Sequence, residues 1–463
     1  VGLGMSILAT NLGFSAATLW FDEVEFRGYN PVGLAEGESL EARNIARARR
    51  SEVGTYTPQR VADTLRFYHE TERDYFLELR RYVREELGSQ ALNAGTASWT
   101  GSLPDYWAMS GMDFADGHLY WDHPWWPESP DWSPTGWVIG NEAWVNHPMV
   151  ELASLIAVEG MPFTVTEFNE VFPNRYAAEG ALLMAAFANH QDWDAVFLFD
   201  YADRTEIFAA EHCHSWFDLA GNPIKQAQMP VAARMFLRGQ NRPPSALVSL
   251  SFTAEETLAS VLYGWSGEAA SFLLQKNVGP MAGWRHRLRV ADFDAPTPTA
   301  YNLPDPPGPA WTSDSGELTW DISDPDRGLV TMDAEQVQAA IGFTAGRTVA
   351  LSNLTLQFPP DAAAFNAITL QSLDSLPLSL SPRLLLGVFT RFENTGMVWN
   401  EDETSVNDRW GGPPTLIEPT KFTATLALDS VVGLTVERLD PTGAPVATLP
   451  YEVLDDQRVR FVV

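Results

Sequence analysis

The segment PFTVTEFNEVFPNRY, residues 162–176, ends an apolar run (Phe163, Thr164, Val165) on Glu167 and follows it with Asn169, Asn174 and Arg175. A carboxylate that ends a buried strand can attack an anomeric carbon, provided neighbouring donors hold it ionised and a second carboxyl group stands about 5 to 5.5 Å away as acid/base. Glu167 is therefore the candidate nucleophile. The preceding apolar run, MDFADGHLYW (112–121), ends on His118 and Tyr120. A phenol there can donate to the carboxylate and an imidazole can hold a sugar hydroxyl. An isolated Thr-Glu-Phe-Asn is a weak signal and by itself fits an ordinary exposed glutamate better, since glutamate is mostly exposed unless paired.

These residues need strands to carry them. Short apolar runs alternate with helical patterns at 91–98 (ALNAGTAS), 112–121, 161–169, a helix over 174–191, a run at 194–203 (DAVFLFDYAD) and a helix over 223–238. Strand, crossover and strand in that order is the grammar of a parallel α/β sheet or barrel. Functional side chains then come from the strand ends. That rule selects Asn93 and Thr96, Asp116, His118 and Tyr120, Glu167 and Asn169, and Asp200, Tyr201 and Asp203. Upstream, Thr57 and Pro58 open a long amphipathic helix that Gly88 ends. Residues 15–27 alternate as a strand. Beyond about 242, Thr, Ser, Pro and Leu in short alternating segments predict one or two β-sandwiches, with PDPPGPAW (304–311) as a break. The expected domains are 1–30, the end of a β-sandwich; 31–242, the α/β region; and 243–463, the β-sandwich region.

Acidic residues outnumber basic ones 60 to 30, and the resulting charge of −30 disfavours nucleic acid as a partner. Seventeen tryptophans offer flat apolar faces suited to sugar rings as well as to cores, so carbohydrate is the expected partner. The Trp-rich stretch DHPWWPESPDWSPTGW (122–137) either lines a sugar subsite through Trp125, Trp126, Trp132 and Trp137 or folds over the sheet as a self-packed lid. Arg175 either pairs with Glu170 or Glu179 or reaches a sugar hydroxyl. Asp200 and Tyr201 are substrate-binding candidates. The aromatic and polar residues around Trp399, Asn400 and Trp410 are read as interdomain packing. No Gly-rich phosphate loop and no Gly-x-Ser-x-Gly turn is present, which disfavours nucleotide chemistry and serine hydrolysis. His212, Cys213 and His214 lack a second cluster at zinc spacing, so no metal and no cofactor is expected. One cysteine excludes an internal disulfide framework, and no apolar run is long enough to span a membrane.

DGHLYW, PFTVTEFN and WDAVFLFDYA, in that order, resemble strands six, seven and eight of the clan A retaining glycoside hydrolases. These are (β/α)8 barrels whose nucleophile is a glutamate ending strand seven, and several of their families end strand six on His-x-Tyr. The resemblance gives Glu167 the nucleophile position and His118 and Tyr120 the strand-six positions. GMDFADGHLYWDHP, TEFNEVFPNRYAAEG and QDWDAVFLFDYA, with RFENTGMVWN and RWGGPPTLIEP farther on, are similar to large bacterial multidomain members of the β-galactosidase and agarase type. The similarity spans roughly residues 40–460. It implies glycoside hydrolysis with retention and leaves the sugar open.

The departure lies in the acid/base. Such enzymes place that glutamate, usually after an asparagine, at the end of strand four. The Asn141-Glu142 pair stands before a helix, but the interval from Glu142 to Glu167 is shorter than one βα unit of roughly 30 residues. Glu142 is read as a rim residue. Glu23 and Glu25 read better as part of a carbohydrate-binding sandwich. The acid/base is expected upstream, which makes the chain the C-terminal half of a barrel followed by β-sandwich domains, inactive alone, with an extracellular or periplasmic setting whose signal lies outside it. A noncatalytic glycan-binding protein is one alternative, and a metal-dependent hydrolase using Asp116, His118 and His123 is another.

Overall fold

The computed structural model describes residues 31–97, 102–262, 268–296 and 301–463. The strand and the two glutamates expected within 1–30 lie outside these residues. Helix α1 (Pro58–Arg81) starts as the sequence predicts, with the Thr57 hydroxyl accepting from the Arg60 N–H and Pro58 at the first helical position. A π-turn over Tyr82–Glu86 prolongs it to Gly88, whose positive φ ends the segment. Residues 91–97 form no strand: Ala, Asn and Gly have little preference for a pleated surface, and Asn93 instead donates its backbone N–H to Asp113. A short helix α2 (Leu103–Met109) leads into β1 (Ala115–Trp121).

Three runs become one parallel sheet in the order β1, β3, β4, with β3 (Phe163–Glu170) central and β4 (Ala195–Leu198) beyond it. A two-residue strand β2 (Ala157–Val158) precedes β3 and belongs to another sheet. Helix α3 (Gly180–Gln191) follows β3 and is apolar all round, which matches its burial between β3, β4 and α4 (Pro223–Leu237). Helix formation begins at Gly180 rather than 174. Residues 174–179 instead run as turns, since Asn174 spends its side chain on its own loop.

Beyond 242 the expected sandwich does not begin at once. β5 (Leu247–Ser251) and β6 (Arg287–Asp292) pair parallel with each other, and β6 pairs parallel with β2. The segment ALVSLSFTA thus joins the α/β body, and antiparallel pairing starts at β7 (Ala310–Thr312). A short apolar run carries no mark of its partner's direction, which is why alternation alone misplaces the boundary. Among the described residues the parallel strands stay in two open three-stranded sheets, and no barrel closes.

The remainder is one antiparallel sandwich. Its larger sheet contains β7, β8 (Leu318–Asp321), β9 (Leu329–Asp333), β10 (Val337–Phe343), β13 (Phe365–Ser372) and β14 (Leu384–Phe389). Between β10 and β13, β11 (Thr348–Ala350) and β12 (Leu354–Gln357) cross to a five-stranded sheet completed by β17 (Thr423–Ala427), β20 (Glu452–Val453) and β21 (Arg458–Val462). Two hairpins are added to these sheets: β15 (Phe392–Thr395) with β16 (Gly412–Ile417), whose Phe392 is buried in the core of the α/β body, and β18 (Val436–Leu439) with β19 (Pro445–Leu449).

The larger sheet is a middle layer, which explains why β13 is buried at every position. Phe365 and Ala367 face the core of the α/β body, whereas Ile368 and Leu370 face the core shared with the second sheet. Tryptophans fasten the layers through their N–H groups: Trp320 donates to Val145 O at 2.7 Å and Trp284 to Trp311 O at 3.0 Å. The protein is therefore a mixed α/β chain with a large antiparallel sheet, and the two parts share a core.

Candidate functional site

The two strand ends meet because β3 carries an extra residue. Gly117 pairs with Val165, but the next residue, His118, pairs with Glu167, so Thr166 is bulged. The slip is repeated against β4, where Val165 faces Val196 and Phe168 faces Leu198. Glu167 consequently turns out between buried Val165 and Phe168, with 30% of its side chain exposed. A Cβ at 117 would approach Leu155 Cδ2 to 2.7 Å, so any larger residue there requires the leucine to move.

Tyr120 Oη donates to Glu167 Oε2 at 2.7 Å, and His118 Nδ1 lies 3.3 Å from the same oxygen. Burial first, and then the Glu167 carboxylate, push the Tyr120 phenol far above its ordinary range, so it remains a donor at any working pH. Beneath them Asp116 is buried and turned into β3. It accepts from the Thr166 N–H at 3.0 Å and from the Thr166 hydroxyl at 2.6 Å. That hydroxyl stands 3.1 Å from His118 Nε2, so Asp116 fixes the imidazole through Thr166. One carboxylate thus has a phenol and an imidazole converging on one oxygen, and its remaining surface open.

Asn169 and Asn174 do different work from the strand-end expectation. Asn169 is fully buried; its amide donates to Phe217 O at 2.7 Å and to Phe199 O, and its oxygen accepts from Lys225 Nζ at 2.5 Å. Lys225 also donates to Glu170 O, and burial lowers its ammonium to about 8. Asn174 donates to Asp122 at 2.7 Å and to Glu142 O at 3.0 Å. Both asparagines therefore hold backbone. Arg175 pairs with Glu403 rather than with Glu170 or Glu179 and lies over the Trp399 ring at 5.5 Å. Because that pair is partly exposed, Arg175→Ala is expected to cost no more than about 1 kcal/mol in chemical denaturation, a small shift of the midpoint. Glu142 stands on the rim with its carboxylate on His147 at 2.9 Å.

Beyond β4, the carboxyl groups of Asp200 and Asp218 influence one another's titration, and Asp203 N donates to Asp218 at 3.2 Å. Burial, with Asp200 and Asp203 alongside, raises Asp218 to about 7, so the pair retains a proton near neutrality. Tyr201 is exposed, its hydroxyl directed at Phe208 O. Phe199 and Phe217 flank the Tyr120 ring with centroids 6.2 and 4.9 Å away.

The tryptophan loop 122–137 folds on itself and on the sandwich. Trp126 donates its N–H to Ser133 O, and Trp216 meets Trp126, Trp132, Trp137 and Trp410 within 6 Å. Trp137 stacks on Trp410 at 5.3 Å, so the loop around Trp410 docks on the α/β body. Trp125 and Trp132 remain more than half exposed. His212 and His214 stand with rings 5.5 Å apart, yet among the described residues no three His, Cys, Asp or Glu side chains are arranged to hold a metal ion. His123, named for the metal alternative, spends its Nδ1 on Pro124 O. A cleft of about 470 Å³ lined by Asp113, Glu159, Met161 and Asp292 opens between the amino ends of β1 and β3 and the carboxyl ends of β2 and β6, and Glu167 does not line it.

Under the site lies a second buried pair. Glu179 accepts from Trp144 N at 2.5 Å and Val145 N at 3.0 Å, donors that favour its charge, but burial outweighs them and lifts it to about 8. Glu170, also buried, is raised as well. A carboxyl group raised from 4.5 to about 8 makes the folded chain bind more protons than the unfolded one across that window, so stability falls as pH rises from 4.5 to 8. Glu179→Gln is expected to flatten the decline of the melting temperature between pH 5 and 8; an unchanged slope would remove Glu179 as its source.

Sequence reasoning missed Thr166, Phe199, Phe217, Asp218 and Lys225. Only the aromatic and acidic cluster HSWFDLAGN hinted at any of them. Among the described residues no helix is long and apolar enough to cross a membrane. Comparisons with protein-family models, curated proteins and solved structures give no match for this chain, so what the site does rests on its geometry.

Proposed function

We propose that this chain carries the nucleophile side of a retaining glycoside hydrolase, with Glu167 attacking the anomeric carbon and β1, β3 and β4 serving as consecutive strands of a (β/α)8-type barrel. The observation that carries this reading is the convergence of Tyr120 Oη, at 2.7 Å, and His118 Nδ1, at 3.3 Å, on one oxygen of a partly exposed strand-end carboxylate. The other oxygen is left to the substrate. A nucleophile must be held at a fixed angle and must not be buried, and both conditions hold at Glu167. Tyr120 stays neutral and donating, which steadies the carboxylate before attack and follows its change of charge as the glycosyl ester forms.

The proton donor to the leaving oxygen is assigned in this reading to a carboxyl group outside the described residues. In a second step, water activated by that group hydrolyses the glycosyl-enzyme with net retention. The test is covalent. A panel of 2-deoxy-2-fluoro glycosyl fluorides, whose leaving group needs no protonation, is incubated with the chain and the labelled peptide is mapped by mass spectrometry. Label on the peptide containing Glu167 supports the reading and names the sugar. Absence of label across the panel, with glycan binding intact, replaces it with a noncatalytic glycan-binding protein.

A further inference from the structure

Trp132 is the residue whose situation the site so far leaves unexplained. It is 59% exposed, although a tryptophan gains more from burial than any other side chain present. Its backbone is left-handed, with φ of +65°, a conformation that bulky side chains rarely adopt. Yet the ring is walled on one side by three others, at 5.2 Å from Trp126, 5.7 Å from His123 and 5.9 Å from Trp216.

The loop that presents it is pinned on both sides of Trp132. Trp125 and Val138 exchange both backbone hydrogen bonds, Trp126 holds Ser133 O, and Gly136 N donates to Asn407 at 2.8 Å. An indole fixed in this way loses little freedom when a ligand covers it. The position is not remote: His123 meets Tyr120 edge-on at 5.5 Å, and Tyr120 holds Glu167. Exposed ring, strained backbone and rigid support are thus joined to the candidate nucleophile by two aromatic contacts.

Resting on the glycosidase reading, we infer that Trp132 is a stacking platform for a second pyranose of a neutral glycan whose first ring is held at Glu167. The apolar face formed by a pyranose's axial C–H groups fits an indole, whereas a peptide or lipid would need a continuous apolar groove. Neutrality follows from the surroundings. Glu128 and Asp131 flank the platform in sequence, Asp200, Asp203 and Asp218 crowd the end of β4, and the chain carries −30 overall. An anionic chain would be repelled.

The experiment is calorimetric titration of the full chain with neutral β-linked gluco- and galacto-oligosaccharides of two, four and six units, beside oligogalacturonates of equal length. One neutral series is expected to bind more tightly once it reaches beyond a single ring, with Trp132→Gly and Trp132→Ala weakening the longest chain by about tenfold or more and Trp132→Phe by less. Trp132→Gly also removes the strained bulky residue, so its melting temperature is expected to hold or rise, and loss of affinity then cannot be loss of fold. The inference is overturned if the glycine variant binds the longest chain as the parent does, if no neutral chain binds, or if oligogalacturonate binds as well. Label on Glu167 with binding indifferent to Trp132 sinks this inference alone. Binding that depends on Trp132 without label on Glu167 keeps the platform and sinks the glycosidase reading.

Discussion

Glu167→Gln is expected to abolish covalent labelling by the 2-deoxy-2-fluoro glycosyl fluoride that labels the parent chain, a loss on the order of 10⁴-fold or more, because the amide cannot form the glycosyl ester. The backbone should be undisturbed. Glu167 is partly exposed and anchors nothing but the contacts with Tyr120 and His118, so the melting temperature is expected to stay close to that of the parent. Tyr120→Phe separates positioning from chemistry. It removes one hydrogen bond to a charged group, a contribution of about 1.5 to 3 kcal/mol, and should slow labelling by roughly 10- to 100-fold without moving the label. Retention of full labelling rate in the glutamine variant would show that the convergence of phenol and imidazole on Glu167 serves structure alone. If only the phenylalanine variant were silent, the pairing would be right and the nucleophile wrong.

Much of this arrangement is legible in the residue pattern alone. The runs ending on Tyr120, Glu167 and Asp200 are apolar and β-forming, so each reads as a strand wherever it sits, and consecutive strands joined by helices are neighbours more often than not. The bulge at Thr166 leaves no such mark. Alternation along FTVTEFN puts Thr164 and Thr166 on one face and Val165 and Glu167 on the other; a single extra residue reverses that for Glu167 and turns it out of the core. The same limit applies to β5 and β6. Their residue types suit any strand, and their parallel partners are decided by the tertiary fold. Lys225 and Asp218 are separated from Glu167 by a helix and a loop, and nothing in their local sequence marks them as part of one buried network. Asn169 shows the converse. Its type suggests a sugar contact, and its complete burial beside a lysine assigns every polar atom to the protein.

That network supplies the second large effect. Asn169→Ala is expected to cost about 3 to 5 kcal/mol, seen as a fall of several degrees in the melting temperature. The alanine withdraws one of the two acceptors of the buried Lys225 ammonium and the donors of Phe199 O and Phe217 O. A buried cation left short of partners accounts for most of that loss, so Asn169→Ala combined with Lys225→Met should be less destabilised than the two single changes added together. The labelling rate at Glu167 divides the two roles of the network. Phe199 and Phe217 clasp the Tyr120 ring and are held from Asn169's amide on this side, so the double variant is expected to regain stability yet still label slowly. If stability and rate returned together, the lysine's charge would be the whole of the effect, and the clasp on Tyr120 would owe nothing to Asn169. If neither returned, the loss would lie in the two carbonyls left without a donor, Phe199 O at the end of β4 and the buried Phe217 O in the loop that carries Asp218.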